Sequence, residues 1–170
     1  MFTFPVGAKV VHPCYGAGII TRITEKAIGD SLHAYYIIKT VSRPMELMVP
    51  VERAEEVRLR PVGDEEELRQ QLAECAELPP HEDLGQDLRQ RQTSMRDQLK
   101  SGCFDQVARV ARTLFFLNAR RPLGTVDRQL LDQGREFLAG ELALSSGEEI
   151  QEAMQTIQAQ LSSAPGASGG

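Results

Sequence analysis

The chain has 170 residues, of which 41% are hydrophobic and 25% charged, with a net charge of −5 and no tryptophan. That is the composition of an ordinary folded protein, one domain or two small ones, with enough chain to bury a core. It excludes a membrane-spanning helix, which needs roughly eighteen apolar residues in a row, and a disulfide framework, because Cys14, Cys75 and Cys103 are odd in number and far apart.

Phe2–Val62 reads as β structure. Lys9–His12 and Ala17–Glu25 are short runs rich in β-branched residues, broken by Pro13, Gly16 and Gly18. A hairpin is expected to turn near Gly29–Ser31, between Ile28 and the run Ala34–Ile38. A further strand, Glu46–Val49, ends at Pro50. Four or five short strands in so few residues predict a small, strongly bent barrel-like sheet, with an edge open to a partner's strand.

Composition changes after Pro61. Asp64 with Glu67 makes a capping box, and Leu68, Leu72 and Cys75 share a helical face as far as Pro79–Pro80. A second helix is expected from about Gly85 to Lys100, with Leu88, Met95 and Leu99 on one stripe, broken by Ser101–Gly102. The third turns Phe104, Val107, Ala111, Leu114 and Phe115 inward and Arg109 and Arg112 outward. Asn118–Gly124 reads as a loop, and Val126–Leu144 as a strongly apolar fourth helix. Ser146 and Glu149 are expected to cap a fifth, striped by Ile150, Met154, Ile157 and Leu161. Ser162–Gly170 is too poor in apolar groups to order itself. The layout is α+β in two domains: a β module over residues 1–62 and an all-helical domain over 63–161.

The positive charge gathers in the helices. Between Gln86 and Arg135 stand ten Lys/Arg against five Asp, a local surplus of +5 in a chain of net −5. Such a block is an electrostatic footprint for a polyanion. Arg89, Arg91, Arg96 and Lys100, beside Leu88, are the foremost DNA candidates. Arg120, Arg121 and Arg128 are further ones, although Arg120 and Arg121 equally suit the C-terminal dipole of the preceding helix. Arg109 and Arg112 suit an ordinary solvated face as well as a phosphate.

Catalytic chemistry is not in view. His12-Pro13-Cys14 is the one close His/Cys pair, and no second pair at metal-ligand spacing accompanies it. Tyr15-Gly16-Ala17-Gly18 is a turn with no helix opening after it, and no phosphate-binding or nucleophile-elbow motif occurs. Asp64–Glu67 reads as a solvated helix start rather than an acid/base pair. Cys103 opens a helix with no histidine near it in sequence. No metal, cofactor or enzymatic activity is expected.

With both parts in view, the sequence resembles the CarD/CdnL family of bacterial transcription regulators over about residues 4–161. The resemblance rests on Phe4-Pro5-Val6-Gly7-Ala8-Lys9-Val10-Val11-His12-Pro13, Tyr15–Gly18 and Val49-Pro50-Val51-Glu52. In the helical part it rests on Gly102, Arg120–Leu123 and Arg135–Leu144. The first set is similar also to the polymerase-binding module of transcription-repair coupling factors. The resemblance implies a Tudor-like (SH3-like) β-barrel that docks on the RNA polymerase β subunit by strand pairing, here through Lys26, Ile28, Glu46 and Met48. It implies a helical domain that reaches promoter DNA at the upstream edge of the bubble, contacts phosphates and lodges an aromatic wedge in the minor groove, so that the open complex lives longer. No small molecule is turned over, and the location implied is the cytoplasm, with polymerase on the nucleoid. Two positions depart from the family. Leu88 stands where a wedge tryptophan is usual, and is either a wedge itself or a core residue on the Met95–Leu99 stripe. Met48 stands where a basic residue is frequent, while Lys26 keeps a charge in the neighbouring strand. The alternative is an interaction module that binds polymerase or another protein without productive DNA contact.

Overall fold

The computed structural model describes residues 4–77 and 87–163. Five antiparallel strands come first: β1 (Lys9–His12), β2 (Gly16–Ile28), β3 (Ser31–Thr40), β4 (Glu46–Pro50) and β5 (Arg60–Pro61). They pair in the order β4-β3-β2-β1-β5, so β4 is an edge, followed by a single turn of 3-10 helix, Val51–Arg53. The strands and the hairpin turn stand where the β-branched runs and Gly29 put them. Five helices follow: α1 (Glu65–Glu77), α2 (Leu88–Lys100), α3 (Phe104–Arg120), α4 (Thr125–Ser146) and α5 (Ile150–Leu161). The architecture is a Tudor-like β module followed by an all-helical part. None of the described helices is long and apolar enough to cross a membrane.

Alternation along the strands makes two faces. Val10, Ile20, Tyr36, Ile38 and Val49 gather on one face with Phe4, and the chain after β4 closes over them with Ala54 and Leu59. The Tyr36 hydroxyl, buried there, accepts the Phe4 N–H at 2.9 Å. The other face reaches the helices: Val11 and Ala17 belong to the same buried cluster as Phe137, Leu138 and Leu142 of α4. A bulge in β2 between Ile20 and Arg22 shifts the alternation from odd to even residues. Beyond it Arg22, Thr24, Lys26 and Ile28 continue the face that Ala17 and Ile19 began.

Helix α4 is central, with its second half against the sheet. Gly140 allows a close approach at that crossing, because a Cβ there would lie 2.6 Å from Ser42 Oγ and displace it. Ser42 Oγ donates to the Glu136 carbonyl at 2.7 Å, and Lys9 Nζ to the Leu144 carbonyl at 2.9 Å. A further tie is ionic. Arg60 of β5 grips the fully buried Glu141 of α4 with two hydrogen bonds of 2.6 and 2.9 Å, and gives two more to the Gly102 carbonyl between α2 and α3.

Several helix details differ from the sequence reading. Arg112 does not face solvent: it is buried, its Nη1 donates to the Gln160 and Leu161 carbonyls at the end of α5, and its guanidinium lies 4.8 Å from the centre of the Phe116 ring. Burial holds its pKa below the usual arginine value. Periodicity placed Arg112 beside Arg109, but the α5 carbonyls, with their negative dipole end, compensate the buried cation. Ser146 does not cap α5. It is the last residue of α4, which stops at left-handed Gly147, and its hydroxyl accepts the Glu148 N–H at 3.1 Å. Helix α3 runs on to Arg120, shortening the expected loop. The Pro79–Pro80 connection, the proposed start of α2 at Gly85 and the tail from 164 onward lie outside the described residues.

Removing one member of a buried, doubly bonded ion pair leaves the other charge uncompensated, at a cost of about 3–5 kcal/mol. Glu141→Ala is therefore expected to lower stability by about that amount in urea unfolding. The double change Arg60→Met with Glu141→Leu, which removes both charges, is expected to recover most of it.

Candidate protein-binding and nucleic-acid interfaces

Two surfaces carry the residues singled out above. The first is the free end of the sheet. Strand β4 pairs with β3 only from Tyr35 to Lys39. The β2–β3 hairpin therefore projects past β4, and Ser31–Ala34 offer unpaired backbone beside it. Lys26, Ile28, Glu46 and Met48 are all exposed. Strand register puts them on one face: Met48 pairs across Ile37 to Arg22, and Glu46 across Lys39 to Ile19. They form two groups, with Lys26 opposite His33, about 13 Å along β3 from Ile37. Glu46 is joined to Arg22 at 3.6 Å, both well solvated, a pair of little energetic weight. Ile28 and Met48 remain as exposed apolar side chains with the open edge between them.

The second surface is one end of the helix bundle. Helix α2 begins there, α3 ends at Arg120 and α4 begins at Thr125. Asp127, 8% exposed, fixes this end: one carboxylate oxygen takes Arg91 Nη2 at 2.7 Å and the other takes Gln92 Nε2 at 3.2 Å. Arg91 itself is 13% exposed and also approaches Met95 Sδ at 3.7 Å. Its expected place among the DNA candidates is thus corrected. It stands three residues after Leu88 and four before Met95, on the apolar stripe and away from the basic row, and Asp127 holds it inside.

The pair sits one turn into α2, so the residues before it stand clear of α4. Leu88 is 55% exposed, although it shares a helical stripe with buried Met95. It is not a core residue: as the first residue of α2 it lies beyond the point where α4 covers that stripe. Arg89, Arg96 and Lys100 are exposed on a common face of α2. Arg120, Arg121 and Arg128 are exposed at the α3–α4 turn, where Arg128 also donates to the Leu123 carbonyl at 3.1 Å. Sequence spacing thus identified most of the basic end, but gave no sign of Asp127 as its organiser. From Asp127 to Glu141, against the sheet, is about 21 Å along α4.

Between the two surfaces, His12 accepts the Cys14 N–H on Nδ1 at 3.1 Å and packs against the Tyr15 ring, 5.0 Å between centres. Half-burial lowers its pKa. The thiols of Cys14, Cys75 and Cys103 are free, with Cys75 buried and its pKa raised chiefly by desolvation. Among the described residues no three His, Cys, Asp or Glu gather as a metal site would need.

Comparison with known proteins matches two parts of the chain separately. The CarD-like/TRCF RID domain model matches residues 4–63, and the model for the CarD C-terminal domain matches residues 79–158. "Putative transcription factor YdeB" of Bacillus subtilis (strain 168) is 30% identical over 149 residues, covering 85% of this chain and 93% of that protein.

Two outcomes are expected from this geometry. Arg91→Ala removes the cation that compensates buried Asp127 and is expected to lower the unfolding midpoint clearly, whereas Arg89→Ala, at an exposed position two residues earlier, leaves stability within about 0.5 kcal/mol of wild type in urea unfolding. For His12, the folded pKa lies below the unfolded value of about 6.5, so the unfolded chain binds the extra proton first. Stability is then full above that value and declines as pH falls through it, and His12→Gln is expected to flatten the decline between about pH 7 and pH 5.5.

Proposed function

The chain belongs to the CarD/CdnL family of transcription regulators, and from that premise we propose that it grips the RNA polymerase β subunit with its sheet and touches promoter DNA with its basic helix end. The sheet's open β4 edge, flanked by Ile28 and Met48 and by Lys26 and Glu46, adds to a strand of the polymerase; backbone pairing supplies affinity and the flanking side chains select the partner. The helix end meets the duplex at the upstream border of the bubble. Arg89, Arg96, Lys100, Arg120, Arg121 and Arg128 face phosphates, and Leu88 enters the minor groove as a wedge between base steps. The complex so held reverts to closed DNA more slowly. Arg91 is left out of this set, since Asp127 holds it.

The observation that carries the reading is Leu88: a large apolar side chain exposed at a helix start, beside exposed cations and one turn before the Arg91–Asp127 ion pair. Alone, a few arginines and one leucine on a chain of net charge −5 bind DNA weakly and with strong salt dependence. Held on polymerase, the same contact becomes intramolecular, at an effective concentration near millimolar.

Two substitutions separate the surfaces. Leu88→Ala is expected to shorten the open-complex lifetime several-fold in a competitor challenge, while polymerase still retains the protein. Met48→Asp combined with Ile28→Asp is expected to weaken polymerase binding about tenfold or more in a pull-down with the full chain. An unaltered lifetime for Leu88→Ala would favour the alternative, a polymerase-binding module without productive DNA contact.

A further inference from the structure

A groove separates the sheet from α2 and α4, with a volume of about 550 Å³. Its floor is apolar, formed by Leu99, Leu130 and Phe137; its sheet side carries Tyr15 and Met45, and its helix side Arg96 and Lys100. Tyr15 is 55% exposed, and its ring is steadied by contact with His12. The one acidic residue of the lining, Glu136, is matched by Arg43 at 2.9 Å. Arg96 and Lys100 make no ion pair among the described residues, so the groove presents a net positive wall opposite an aromatic one.

We propose that this groove takes an unpaired nucleic-acid strand, one base lying on the Tyr15 ring and the adjoining phosphates meeting Arg96 and Lys100. An aromatic platform beside a line of cations is the arrangement that holds single strands without reading their sequence. The cations favour a strand over a lone nucleotide. Arg89, Arg96 and Lys100 run along one face of α2, about 10 Å and then about 6 Å apart, so the row continues out of the groove toward the helix end that bears Leu88. A repeating polyanion uses all three; a mononucleotide uses only those in the cavity. The inference deepens the reading above, from contact with duplex to contact with a strand released from it, and it rests on Tyr15, which that reading does not use.

The test is fluorescence anisotropy of a short labelled oligothymidine and of a labelled duplex with the full chain at low ionic strength. Tyr15→Ala is expected to weaken oligothymidine binding about fivefold or more, with Tyr15→Phe close to wild type and duplex binding unchanged in both. Wild-type affinity in Tyr15→Ala overturns the proposal. So does displacement of the oligothymidine by thymidine monophosphate at equal nucleotide concentration, which marks a free-nucleotide site, or by polyglutamate, which marks a site for any polyanion. Should Leu88→Ala leave the open complex unaltered while the Tyr15 effect persists, the duplex wedge falls and the strand groove stands.

Discussion

The relation between sheet and helices depends on Arg60 and Glu141. A carboxylate with no solvent access is tolerable only if its charge and lone pairs are met. One arginine meets both oxygens and extends two further N–H groups to the Gly102 carbonyl. Because the guanidinium is planar and its donors are fixed in direction, these bonds orient three segments together: β5, the α2–α3 turn and the middle of α4. Val11 and Ala17 then lie against Phe137 and Leu138 in one continuous apolar cluster. The groove bearing Tyr15, Arg96 and Lys100 is the space left beside this junction.

The surplus of basic residues between Gln86 and Arg135 is partly internal. Arg91 is held by Asp127, Arg112 closes the end of α5, and Arg135 binds Asp132 at 2.6 Å and Gln158 at 3.0 Å. Counting charge along the chain treats these as surface cations, whereas in the fold they are braces between helices. What remains outside is a smaller set, Arg89, Arg96, Lys100 and the arginines of the α3–α4 turn, and it is concentrated by position. The field such a set generates is local and is screened within about a Debye length, ~10 Å at moderate salt.

Much of the fold was legible in the chain. Val10–Val11, the run Ala34–Ile38 and the glycine at position 29 specify strands and a turn by themselves, and the apolar stripes of α3, α4 and α5 specify which faces are buried. The failures share a cause. Arg112 was read outward because periodicity records an average preference, and Arg91 was taken for a DNA candidate on charge and position; a buried cation depends on carboxylates or carbonyls distant in sequence. Glu141 gave no sign of being the most enclosed acid, since its partner lies in a two-residue strand 81 positions away. Leu88 was left open between wedge and core, because a helical stripe does not reveal where the neighbouring helix stops. Tyr15 read as part of a turn, and only the approach of α2 makes it one wall of a groove.

The helix end itself limits how strong its contact with a polyanion can be. Two helices, α2 and α4, begin there, and their free N–H groups and dipoles favour an anion. Each start also carries its own acid, Asp87 before α2 and Asp127 in the first turn of α4, and α3 presents its negative end alongside. Asp127 cannot be dispensed with, because it is what holds Arg91. The acid that anchors the start of α2 therefore also removes attraction from the surface around it. A site built this way gives up free affinity for position, and position is useful only if another part of the same rigid body is already anchored. The Arg60–Glu141 pair and the apolar cluster shared by sheet and helices tie the two together, so a partner bound to the sheet would set where Leu88 lies.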